Sequence, residues 1–230
     1  RRTMDRRIFE QETTGAFIVR GGLAFPDFKR DLHVGRVKYN PALPLRIMID
    51  FNVNPMTIVV GQMQRGFVSI LRVFELPRTV SRQAAEDFAD RAVEYGWRLD
   101  NVFVYGDPSG RNRSTAAETI DQTSWTQFFN ALRKKRVRFT SKVRATIVRI
   151  AASVNAVNSR ILNADGQSNL LINDDPEMDC QPLIKGLEQA LAQTKMDEFH
   201  ALAGFRYFCE REFPVLSDEV PNNDLDLVAT

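Results

Sequence analysis

Cysteine and histidine are scarce in this chain, with two of each among 230 residues. Cys180 and Cys209 stand in no metal-ligand spacing, which argues against a zinc-ribbon or a disulfide scaffold and suits free buried thiols in a reducing compartment. Long hydrophobic runs are missing as well: none approaches the roughly 20 residues that span a bilayer. The first residues are charged and lack the apolar core of a secretory signal, so a soluble intracellular protein with no membrane partner is expected. Nor does one sign of charge dominate. Lys and Arg number 31 against 29 Asp and Glu, and a net charge of +2 neither favours nor disfavours a polyanionic partner. The distribution says more. Arg133 to Arg149 holds eight basic residues and no acidic one, while 217–230 holds Asp218, Glu219, Asp224 and Asp226 with no basic residue. The first stretch is a candidate anion contact and the second a solvated acidic tail.

The length allows one domain with a sizeable core. Residues 1–40, with basic residues and several glycines and a short apolar run at Ala16 to Val19, read as an arm or linker. The fold proper is expected to begin near Pro44 and to occupy 41–216, leaving 217–230 as the tail. Apolar, β-branched runs at 45–53, 57–62 and 66–76 predict three sequential antiparallel strands. Ser81 is placed to cap a helix reaching Tyr95, stopped by Gly96, which delivers the chain to a strand at 101–106 parallel to the first. Ser124-Trp125-Thr126-Gln127 has capping-box spacing for a helix to Lys134, followed by a short strand over 136–140. Helical spacing from Ile147 to Ile161, a strand at 169–173, and helices at 183–191 and 197–212, the last closed by Pro214, complete the pattern. Hairpins followed by alternating helices and strands predict an α/β fold, a mixed sheet flanked by helices.

Two aspartates carry the chemistry. Asp50 closes the run Leu45 to Ile49 and Asp107 closes Val102 to Gly106, each just before turn-forming residues. A carboxylate ending a core strand is often a turn former bonded to its own backbone. Burying it unpaired is costly, however, and two parallel neighbouring strands would bring both within about 5 Å. Like charges that close repel unless cations neutralise them. Hard oxygen donors without a His/Cys cluster select Mg²⁺ or Mn²⁺, and paired ions of this kind serve phosphodiester hydrolysis. Such a site usually needs a third carboxylate.

Five stretches together resemble a known family: Phe9-Glu10-Gln11-Glu12, Ile49-Asp50-Phe51-Asn52-Val53-Asn54-Pro55, Tyr105-Gly106-Asp107-Pro108-Ser109-Gly110, Val154 to Asn158, and His200 through Pro214. Their order and spacing are similar to those of the C-terminal nuclease domain of the large terminase subunit of tailed bacteriophages, the motor that packages and cuts viral DNA. The resemblance implies a ribonuclease H-like fold and endonuclease activity on double-stranded concatemeric DNA through two Mg²⁺ or Mn²⁺ ions. Asp50 would bridge both ions and Asp107 would hold one. The family's last helix reads His-x-x-Asp-[Ala/Gly]-x-x-Tyr, and here that segment is His200 to Tyr207, with Ala203 in the acidic slot. An inactivating Asp→Ala change at this position, leaving the chain catalytically impaired, is the leading explanation. A contribution from Asp197 or Glu198 is the weaker one, because they lie about 9 Å away along the helix. His200 shares the face of Ala203 and would point at the cluster, although a lone His is more often structural.

For DNA, the candidates are Lys134, Lys135, Arg136, Arg138 and Lys142 from the basic run, with Arg111 and Arg113 just after the second aspartate; a solvated helix end explains the run equally well. No Gly-x-x-x-x-Gly-Lys-[Ser/Thr] loop is present. With its start at Arg1, the chain is therefore expected to be excised from a polypeptide that also carries the packaging ATPase. The resemblance further implies the small terminase subunit and the portal protein as partners, in the cytoplasm of the infected bacterial host. Rival readings are another ribonuclease H-like cutter, such as a resolvase or transposase core, and a non-catalytic DNA-gripping or portal-docking module in which the alanine is native.

Overall fold

The computed structural model describes residues 22–52, 54–111, 123–147, 149–191 and 198–215. Its elements in chain order are α1 (Arg30–His33), β1 (Val34–Gly35), β2 (Leu45–Asp50), β3 (Met56–Gln64), β4 (Phe67–Leu76), α2 (Ser81–Glu94), β5 (Val102–Gly106), α3 (Ser124–Lys134), β6 (Phe139–Ser141), α4 (Ile150–Ile161), β7 (Leu170–Asn173), α5 (Gln181–Gln189) and α6 (His200–Glu212). Single 3-10 turns at Pro108–Arg111 and Pro176–Met178 join them. Among the described residues the strands form one sheet in the order β1-β7-β4-β3-β2-β5-β6. The hairpins β2–β3 and β3–β4 are antiparallel, while β5 lies parallel to β2, β6 to β5, β7 to β4 and β1 to β7.

Helices cover both faces, which is why β2 reads as an almost unbroken apolar run. Leu45, Ile47 and Ile49 enter a core with Phe88 of α2 and Phe128 of α3. Met48 points the other way, into a core built with Val157 of α4, Leu183 of α5 and Phe205 of α6. A register shift between Val60 and Gly61 leaves Leu71 unmatched on β4. This bulge lets Ile70 and Val73 share the α6 face although three positions separate them.

Several element boundaries depart from the sequence reading. Within the stretch read as an arm or linker, residues 22–40 pack onto the domain: Ala24 and Phe25 are buried and Val34 pairs with Ile172. Those apolar pieces are too short to show a period. Thr123 caps α3 in place of Ser124, its side chain accepting the Thr126 N–H at 3.1 Å. Ser81 lies inside α2, whose preceding residue is Val80. The strand expected over 45–53 stops at Asp50, and the one expected over 136–140 becomes Phe139–Ser141, because Arg136 adopts a left-handed φ of 60°. The helix expected from Ile147 starts at Ile150, with Ile147 71% exposed. The run Ala16 to Val19, the Phe9 to Glu12 stretch and the acidic tail lie outside the described residues.

α6 seats tightly on the sheet at Gly204, where a Cβ would stand 3.0 Å from the Met48 carbonyl oxygen. Backbone cannot yield as a side chain can. Gly204→Val should therefore lower unfolding free energy by about 1–3 kcal/mol, the usual cost of overpacking, in urea denaturation; an unchanged midpoint would contradict this seating of the helix.

Candidate active site

β2 and β5 run side by side, with Ile49 opposite Gly106. The next residue of each chain, Asp50 and Asp107, therefore leaves the sheet at neighbouring points, about one strand spacing of 4.8 Å apart. Strand alternation puts Asp50 on the Met48 side, the side covered by α6.

The turn after β5 explains its own motif. A Cβ on Gly106 would lie 2.4 Å from the Ile49 carbonyl oxygen, and one on Gly110 would lie 2.7 Å from the Phe51 ring. Trp125 donates its indole N–H to the Asp107 carbonyl at 2.8 Å and meets Phe51 edge-on, ring centroids 4.5 Å apart. Ser109 then holds the carboxylate, its N–H donating to one oxygen at 2.8 Å and its hydroxyl to the other. The turn-former reading of Asp107 is thus satisfied without removing the carboxylate from the site.

α6 crosses above both aspartates. His200 Nδ1 is 3.1 Å from Asp50 Oδ2, and the Asn52 amide lies 3.1 Å from the imidazole. The Asn52 amide nitrogen stands equally close to both ring nitrogens, so Asp50 and Asn52 together hold the imidazole in place. Seven residues on, the Tyr207 phenol stands beside the Asp107 carboxylate. Further along, Glu210 accepts from Arg144 Nε at 2.6 Å and Glu212 accepts the Tyr105 hydroxyl at 2.8 Å. Residues 200, 203 and 207 share one helix face. Ala203, half-buried, is therefore bracketed by a neighbour on Asp50 and a neighbour on Asp107.

Burial pushes the Asp50 carboxyl above its ordinary range; the His200 ring pulls it back, Asp107 adds to the rise and Arg206 opposes it. Burial, reinforced by the charges of Asp107 and Asp50, also drives the Tyr207 phenol up, so it remains a donor at neutral pH. Among the described residues no group of three or more His, Cys, Asp or Glu side chains is arranged to hold a metal ion. Two carboxylates still fit one hard cation, since Mg²⁺ commonly takes one or two protein carboxylates and keeps water at its other positions.

The other predicted residues separate in space. Glu198 is exposed just ahead of α6, while Asp197 and Arg113 lie outside the described residues, as does the side chain of Arg111. Lys134, Lys135, Arg136 and Arg138 are exposed at the far end of the sheet. Lys134 is nine residues beyond Trp125, roughly 13 Å along the helix, Lys135 is paired with Asp90 at 2.7 Å, and the Arg138 N–H bonds to Leu99 ahead of β5. Lys142 is the member of the run near Asp107, its N–H donating to the Val104 carbonyl at 2.8 Å. Asn52, Ser109 and Tyr207 received no role from sequence, although all three stand inside the recognised stretches; their roles depend on where α6 crosses.

The fold is that of large terminase nuclease domains, a ribonuclease H-like architecture. A large terminase from a thermophilic bacteriophage, in complex with ATP-γ-S, matches with a TM-score of 0.61 and 16% identity over 91% of this chain and 50% of its own. The P22 large terminase nuclease domain matches with a TM-score of 0.54 and 11% identity, covering 84% of this chain and 94% of its own. For the large terminase nuclease of thermophilic phage G20c with bound cobalt the TM-score is 0.50 and the identity 10%, over 83% of this chain and 98% of its own. The chain thus spans about half the length of the ATP-γ-S-bound large terminase. No protein-family model and no curated protein sequence matches it.

A carboxyl raised by burial has a stability signature. Its ionised form is disfavoured by the fold, so the cost is absent below the unfolded-state pKa and complete once pH exceeds the folded-state value. With divalent ions chelated, Asp50→Asn should raise the thermal midpoint at pH 8, and the gain should vanish below about pH 4, near the model-peptide pKa of Asp. Differential scanning calorimetry at the two pH values checks it; a lowered midpoint at pH 8 would contradict the assignment.

Proposed function

We propose that this chain is the nuclease domain of a viral large terminase, a divalent-metal-dependent endonuclease for double-stranded DNA, impaired here by the alanine at position 203. The observation that carries the reading is the bracketing of Ala203 between His200 on Asp50 and Tyr207 on Asp107. A carboxylate there would complete the acidic cluster that two-ion phosphodiester hydrolysis uses. Fold likeness alone does not carry an activity; the site does. The cobalt-bound G20c nuclease supports the metal requirement.

Asp50 and Asp107 would hold a Mg²⁺ or Mn²⁺ ion. Such an ion, when bound, polarises a phosphoryl oxygen and lowers the pKa of its water. His200 orients the Asp50 carboxylate through Nδ1, the Asn52 amide packs against the imidazole, Ser109 holds Asp107, and Tyr207 stands beside it. In the intact assembly the partners would be an ATPase domain of the same polypeptide, the small terminase subunit and the portal protein, in the host cytoplasm. The large terminase complex with ATP-γ-S supports the first of these.

Ala203→Asp should create Mg²⁺- or Mn²⁺-dependent cleavage of plasmid DNA, at least about 100-fold above the parent chain, since loss of even an outer-shell partner at a metal site costs 10–100-fold. Isothermal titration separates the rival readings. The parent should bind Mn²⁺ weakly, and Asp50→Asn should abolish that binding. A non-catalytic docking module would bind no Mn²⁺, and its Ala203→Asp variant would not cut.

A further inference from the structure

We infer that Lys142, Arg144 and Arg211 form a ledge beside Asp107 that holds the phosphodiester backbone of the DNA strand next to the scissile bond. The inference rests on the nuclease reading and deepens it, because it says on which side of the site the substrate lies. Gly106 and Pro108, which flank Asp107, together with Tyr207 and the three cations, line one small depression there, with room for little more than a water molecule, so a phosphate would sit on its rim. Its position follows from the sheet. β6 pairs with β5 up to Val104↔Ser141, so Lys142 emerges one strand spacing, about 4.8 Å, from the strand that ends in Asp107.

Two of the three cations are held in place before any ligand arrives. Lys142 Nζ lies 5.4 Å from the Phe103 ring centroid. Arg144 is clamped by the Glu210 carboxylate at 2.6 Å and the Glu210 carbonyl at 3.4 Å, contacts that use two of the five guanidinium donors. Glu210, the carboxylate in the same lining, is thereby committed to Arg144. Arg211, on the exposed side of the next α6 position, adds a third positive charge. Phosphate recognition needs fixed donors and a net positive field rather than base contacts, and this rim supplies both. The Lys134 to Arg138 cluster is more basic by sequence but stands at the opposite end of the sheet.

Fluorescence anisotropy with a short labelled duplex in chelator tests the ledge without turnover. Lys142→Gln with Arg211→Gln should weaken binding about tenfold or more at moderate salt and reduce the log–log salt slope by about 1.8, two phosphate contacts at 0.9 each. Lys142→Arg should retain parental affinity, and Lys134→Gln with Arg136→Gln should change neither quantity. Parental affinity and slope in the ledge variant, or the loss appearing in the Lys134/Arg136 variant instead, would overturn the ledge. Repeating the comparison in the Ala203→Asp background separates the two claims. Cleavage there with an unaffected ledge variant sinks the ledge alone, whereas no duplex binding by the parent and no cleavage by Ala203→Asp sinks both.

Discussion

The approach of α6 to β2 at Gly204 is the contact on which the rest of the site depends. With no side chain at 204, the helix backbone rests against the Met48 carbonyl, and one stripe of the helix then falls across two strand ends. His200 reaches Asp50 and Tyr207 reaches Asp107 only because the helix lies that low. The far end is tied separately, by the Tyr105 hydroxyl on Glu212 and the Tyr105 ring edge-on to Phe208 at 5.0 Å. A helix fixed at both ends over parallel strands is a rigid frame for side chains that must not drift by much from productive geometry.

That frame holds an electrostatic cost. Burial disfavours charge on Asp50 and Asp107 beside it deepens the penalty, while His200 and Arg206 offset part of it. Strain of this sort commonly collects where a fold is built to accept a counter-ion. The turn at Asp107 shows the complementary solution: Ser109 satisfies the carboxylate with two donors, and Trp125 and Phe51 lock the backbone beneath it. One aspartate is left poised and the other is held.

Much of this could be read from residue pattern, for identifiable reasons. β2, β3 and β4 are long and apolar on both faces, so their order and direction were accessible, as was the parallel return of β5 after a helix of crossover length. Asp50 and Asp107 were visible because a carboxylate interrupts each run. What escaped depends on three-dimensional placement. Ala24, Phe25 and Val34 join the core through pieces too short to carry a period. Thr123 caps α3 because the turn before it lines up its oxygen, and Ser124 offered the same chemistry one residue later. The basic run from Arg133 to Arg149 looked continuous along the chain, yet the left-handed turn at Arg136 and the edge strand β6 divide it between opposite ends of the sheet. No one-dimensional charge count reveals that division.

The central claim is that position 203 completes a metal centre begun by Asp50 and Asp107. Anomalous diffraction from Mn²⁺-soaked crystals of the parent and of Ala203→Asp tests it most directly. The account predicts one ion between Asp50 and Asp107 in the parent, and a second beside position 203 in the variant. Absence of any ion at the aspartate pair in both crystals, or a second ion bound away from α6, would contradict it.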